Sequence, residues 1–185
     1  MAVLERGDGF GREQNELAAD RDVDPVAWSI WSNPPRFWGG ALAANDRRWH
    51  AAEIPATNAI VAVPSLARLY GCLARGGEID GMRLLSPEAV ETGRRCLARG
   101  HDPYVGLVAF AAGFQVQTTD MAYGPAADAF GHTGAGGSVH GAWPSLRTGF
   151  SYAPNLLGSL DAVDPRAERL LGALHSVVAK RVREA

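Results

Sequence analysis

Apolar residues change their spacing twice along this chain, and the order of those changes leaves few folds open. From Pro64 the spacing is helical. Leu66, Leu69, Tyr70 and Leu73 recur at i, i+3, i+4 and i+7, with Ser65 placed to cap the start and Gly76-Gly77 to end the helix. Asp80-Gly81 then predicts a tight turn between two short extended pieces. Ser86-Pro87-Glu88 supplies a capping hydroxyl, a proline at the first helical position and an acid in the first turn, which predicts a second helix to about Leu97. Past Pro103 the pattern turns extended, with a strand over 108–117 and two more at about 137–143 and 147–153. In the last of these Thr148, Phe150 and Tyr152 share one face, and Pro144-Ser145 occupy the preceding turn. After Asp164-Pro165 helical spacing returns, with Ala167, Leu170, Leu171, Leu174, Val177, Val178 and Val182 on one face. Helices, then antiparallel strands, then a helix laid on the sheet make an α+β layout.

The first 60 residues carry no such period. Trp28, Trp31, Phe37, Trp38 and Trp49 stand in a segment broken by Gly, Asp, Asn and Pro, which predicts packed loops. The chain therefore divides into an irregular region, 1–60, and a patterned one, 61–185. The net charge of -2 gives no long-range field for nucleic acid or an anionic membrane. No apolar run approaches the roughly 20 residues of a bilayer span, and the start has no apolar leader core, so a cytoplasmic protein is expected. Cys72 and Cys96 form neither a CxxC pair nor a disulfide framework and are expected to be buried thiols. The only lysine is Lys180, so any chemistry that needs a lysine must use it.

The densest chemical signal is Gly131-His132-Thr133-Gly134-Ala135-Gly136-Gly137. It is not a phosphate-binding loop, because no Gly-Lys-Ser/Thr follows, and Val139 breaks the GxGxxG pattern. Glycines in a strand mark either a bulge or a close approach by ligand, and both readings stay open. His132 and His140 lie eight apart without a carboxylate or cysteine at ligand spacing, so neither metal nor another cofactor is expected. His101 and His175 read as surface or helix-face residues. Ser151 in Gly149-Phe150-Ser151-Tyr152-Ala153 approaches a GxSxG elbow, but Pro154-Asn155 follow where an elbow needs a helix.

IPATN, SLARLYGCLARGGEIDGMRLLSPEAV, FGHTGAGGS and GFSYAPN, in that order and followed by the amphipathic helix, resemble the serine β-lactamase and penicillin-binding-protein-like superfamily. The similarity is strongest to its class C-related esterases and lipases and covers the C-terminal half of the family fold. It implies a partial β-lactamase-like fold of antiparallel strands packed by a C-terminal helix. It also implies acyl-ester hydrolysis through a serine acyl-enzyme, with the nucleophile in Ser-x-x-Lys and a second motif Tyr-x-Asn or Tyr-x-Ser. By the same resemblance His132, Thr133 and Gly134 are the third motif on an edge strand. Ala135 offers its backbone N–H to the oxyanion, and Gly136 leaves room for substrate. A small acyl-ester or β-lactam-like molecule is the implied ligand.

The chain departs from that pattern at its reactive centre. Val177 stands three residues before Lys180, so Ser-x-x-Lys is absent. Tyr70, Tyr104, Tyr123 and Tyr152 are followed two places on by Cys72, Gly106, Pro125 and Pro154, so the tyrosine motif is absent too. Trp143-Pro144 replaces an acidic residue before proline that many relatives carry. The expectation is a chain inactive by the family mechanism, either one part of a hydrolase or a binding or interaction module that keeps the pocket edge. Without the family's N-terminal strands, the strand near 147–153 becomes an edge open to self-association or to a complementing N-terminal fragment.

Overall fold

The computed structural model describes residues 3–8, 10, 25, 29, 43–55, 59–102, 106–158 and 163–184. The expectation for Trp28, Trp31, Phe37 and Trp38 lies outside these residues. In chain order the elements are β1 (Glu5–Arg6), a 3-10 turn (Ala43–Asn45), α1 (Arg47–Ala51), α2 (Val63–Leu73), β2 (Glu78–Ile79), β3 (Met82–Arg83) and α3 (Pro87–Arg94). There follow β4 (Cys96–Asp102), β5 (Gly106–Ala111), β6 (Gln115–Val116), β7 (Phe130–Gly134), β8 (Ser138–Trp143), a 3-10 turn (Pro144–Leu146), β9 (Thr148–Tyr152), β10 (Leu156–Leu157) and α4 (Pro165–Glu184).

Strands β4 to β9 form one six-stranded sheet in sequence order, every neighbour antiparallel. Side-chain alternation splits it into two buried faces. Phe130 and Ala142 pack on Tyr70 and Leu73 of α2, on Ala74 just past its end and on Val90 of α3. Val139, Trp143 and Phe150 pack on Tyr123 and on Ala167 and Leu171 of α4. Trp143 and Phe130 are the largest side chains with no solvent exposure, so each face has one aromatic anchor. The indole N–H of Trp143 donates to the Tyr123 carbonyl at 2.6 Å, so its one polar atom is satisfied. Gly149 lets α2 lie directly on β9, since a Cβ there would meet the Gly71 nitrogen and stand 2.5 Å from the Ala67 carbonyl oxygen.

The α+β layout stands, as do the two strands about Pro144 and the final helix. Asp80 and Gly81 both take positive φ in the predicted hairpin turn, and the Ser86 hydroxyl accepts from the Ala89 N–H at 3.1 Å as the predicted cap. Four details differ. Ser65 caps nothing; Ala62 is the capping residue of α2, without a side-chain bond, and Pro64 sits in the first turn. Helix α3 stops at Arg94, and the residues expected to finish it begin β4 instead. The stretch 108–117 is a hairpin of β5 and β6, closed by the Ala111 N–H donating to the Phe114 carbonyl at 2.7 Å. Cys72 is buried, but Cys96 lies exposed on β4. His175, read as a surface or helix-face residue, lies on α4 and stacks edge-on against Trp143 with ring centroids 5.5 Å apart.

Of the first 60 residues, β1 pairs in parallel with β10. The Asn45 side chain clamps Leu4, accepting from its N–H at 2.9 Å and donating to its carbonyl at 2.8 Å.

Candidate functional site

The glycine-rich segment of residues 131–137 forms the end of β7 and the turn into β8. His132 faces the α2 side of the sheet, as Phe130 does, and Thr133 faces the α4 side opposite Val139. His132, Thr133, Gly134 and Ala135 are exposed, whereas Gly136 is buried. The Nδ1 of His132 lies 2.5 Å from the Thr133 carbonyl oxygen. A carbonyl only accepts, so Nδ1 is the donor in this contact. The Ala135 N–H makes no hydrogen bond among the described residues; the turn is closed instead by Gly137 N–H to the Gly134 carbonyl at 3.2 Å.

The glycines of this turn answer mainly to neighbours within the protein. Gly136 and Gly137 have φ of 82° and 101°, where a side chain is strained. A Cβ on Gly136 would come within 2.6 Å of Leu157, and one on Gly137 would fall on the Asp164 carboxylate, 2.8 Å from its own Cβ. The Gly158 N–H donates to the Gly136 carbonyl at 2.9 Å, so the turn is fastened to the segment after β10. Asp164 in turn starts α4, accepting from the Arg166 N–H at 2.8 Å and pairing with its guanidinium at 2.6 Å. That side-chain hydrogen bond, above all, holds the Asp164 carboxyl below the ordinary range against the opposing effect of burial.

Across the sheet from His132 stands its partner His140, and beyond that Ser151. His140 Nδ1 and Ser151 Oγ are 2.7 Å apart. Burial, and secondarily the charge of His132, push the His140 pKa down, which keeps it neutral near pH 7. This pair was not signalled by spacing, because its members stand eleven positions apart and only the register of β8 and β9 unites them. No group of three or more His, Cys, Asp or Glu suited to a metal occurs among the described residues. Lys180 is exposed on α4, 3.8 Å from Glu184, on the helix that covers the sheet face opposite His132. No described helix is long and apolar enough to cross a membrane.

The fold resembles that of known proteins. The chain is 39% identical over 119 residues to the esterase/β-lactamase LipL of Mycobacterium tuberculosis (strain ATCC 25618 / H37Rv), covering 63% of this chain and 27% of the relative. A penicillin-binding-protein homologue from Caulobacter crescentus superposes with a TM-score of 0.72 at 32% identity, over 84% of this chain and 41% of that one. A family VIII carboxylesterase matches with a TM-score of 0.65 at 36% identity, over 74% of this chain and 36% of that one. EstA from Arthrobacter nitroguajacolicus Rue61a matches with a TM-score of 0.70 at 27% identity, over 93% of this chain and 49% of that one. No family model matches. The chain is similar to members of the serine β-lactamase and penicillin-binding-protein-like superfamily, on the side of its esterases. It spans less than half the length of each of these relatives, in agreement with the C-terminal portion indicated by the order of its motifs.

Proposed function

We propose that the chain supplies the oxyanion side of a β-lactamase-related acyl-ester hydrolase and has no turnover of its own by the family mechanism. In this reading His132, Thr133 and Gly134 line the substrate edge, and the Ala135 N–H stabilises the developing oxyanion. Gly136 shapes the turn that aims it. The observation that carries the reading is the exposed Ala135 N–H, free of partners among the described residues, on a turn anchored through Gly136 and Gly137. A donor held ready in this way is worth roughly 2.7–4 kcal/mol to an acyl-transfer transition state. The serine that would attack the carbonyl, and the lysine and tyrosine that would manage its proton, come from elsewhere. Val177 occupies the position before Lys180 where the serine would stand, and Lys180 is ion-paired on α4.

The purified chain is expected to give no burst and no turnover with a short-chain nitrophenyl ester. It is expected to bind an acyl or β-lactam-like ligand saturably in calorimetry, with binding weakened by His132→Ala. Steady turnover by the chain alone overturns the missing nucleophile, and absence of binding overturns the retained edge.

A second reading, an interaction module, is favoured by a different observation. Strand β9 ends the sheet order among the described residues, and Leu170, Val177 and Val182 of α4 are 55%, 53% and 51% exposed. An open edge beside apolar surface invites a second copy of the chain or a complementing N-terminal fragment. A strictly monomeric species in sedimentation, unchanged by a fragment carrying the family's first strands, overturns it.

A further inference from the structure

The end of the sheet opposite the glycine-rich turn carries a second concave feature. Strands β8 and β9 are antiparallel, so the turn that joins them, with Arg147, lies at the other end of β8 from Gly134–Gly137. A cleft of about 400 Å³ opens there, lined by Arg75 and Gly76 after α2, by Glu78, Ile79, Asp80 and Arg83 of the β2–β3 hairpin, by Pro87 and by Arg147.

Its charges do not cancel. Arg83 is committed to Glu78 and also feels the charge of Glu88. Asp80 is paired with Arg68 at 2.6 Å. The two acids of the lining therefore each have a cation. Arg75 donates only to the Gly71 carbonyl at 2.8 Å, and the Arg147 guanidinium has no partner among the described residues. Arg147 also holds φ 50° and ψ 36°, a left-handed conformation that costs a branched or long side chain energy and that glycine adopts freely. An arginine kept at a strained turn position, facing a cleft beside a second unneutralised arginine, points to a ligand. Pro87 is the first residue of α3, so the positive end of that helix adds to the same field.

We propose that this cleft binds a phosphoryl group through Arg75 and Arg147, at a site separate from the acyl-binding edge. Two guanidiniums match the paired oxygens of a tetrahedral dianion, and a lysine in either place would offer a point charge without the planar fork. The group is either free phosphate or the head of a phosphomonoester, and the chemistry that recognises it is the same.

The test is calorimetric titration of the full chain with inorganic phosphate and, separately, with glycerol phosphate, at constant ionic strength set by chloride. Saturable binding of either is expected, weakened at least tenfold by Arg147→Gly and by Arg75→Gln. Arg147→Gly relieves the left-handed strain, so its melting temperature is expected to hold or rise while binding is lost, which separates a site defect from a folding defect. Binding of glycerol phosphate alone assigns the site to a larger phosphomonoester, and equal binding of both assigns it to the phosphoryl group itself. Absence of saturable binding by either, or equal binding by wild type and Arg147→Gly, overturns the proposal.

Discussion

Replacing Gly137 by alanine separates two explanations of the glycine-rich turn. If the glycine serves packing, a methyl at that position has nowhere to go. At φ 101° the backbone is one that side chains rarely adopt, a strain of about 1–3 kcal/mol. The new Cβ would also fall on the Asp164 carboxylate, which is 8% exposed and accepts from the Arg166 N–H at the start of α4. Displacing that cap adds about 1 kcal/mol. The expected loss is therefore about 2–4 kcal/mol, or roughly 5–12 °C in melting temperature for a chain of this size. Gly81→Ala is the matched control, since Gly81 has φ 75° and a Cβ there meets nothing within 4 Å. It is expected to cost only the backbone strain, about 1–2 kcal/mol. Thermal denaturation followed by circular dichroism reads both. Equal losses at the two positions would refute the packing argument and return the glycine to a ligand-approach role.

Three further outcomes follow from the same contacts. Trp143→Phe removes the donor to the Tyr123 carbonyl in a fully buried site, and is expected to cost about 1–3 kcal/mol in urea denaturation. Because the folded Asp164 pKa is held down, the unfolded chain binds the extra proton first on acidification. Stability is thus complete above the ordinary carboxylate value near 4 and falls as pH drops towards the lower folded value, a fall that Asp164→Asn is expected to flatten in melts taken below about pH 4. His140 is also depressed, by burial, so its contribution is complete above about 6.5 and is lost as pH falls through its lower folded value. A melting series between pH 7 and 5 is expected to lose that slope in His140→Gln.

What the sequence made legible depended on burial. Helix α4, the hairpin at Asp80-Gly81 and the strands flanking Pro144 were readable because one face of each is packed, or because a turn needs a particular backbone. Strand β4 was not, since Cys96–His101 are exposed at the sheet's first position and carry no alternation to read. Leu69 fits the stripe of α2 yet is 41% exposed, because only the Tyr70–Leu73 end of that stripe lies fully under the sheet. At the site, His132, Thr133 and Gly134 were singled out by resemblance alone. The reason for Gly136 and Gly137 was out of reach, since their packing partners Leu157 and Asp164 lie more than twenty residues away. The hydrogen-bonded His140 and Ser151 were hidden for the same reason.

The central claim is that this chain holds the oxyanion side of a serine hydrolase without its nucleophile. Intact-mass analysis after incubation with an alkyl fluorophosphonate reads that claim directly. The expected result is an unmodified chain, including at Ser151 despite its hydrogen bond to His140. Stoichiometric addition of one phosphonyl group, abolished by substitution of a single serine, would contradict it.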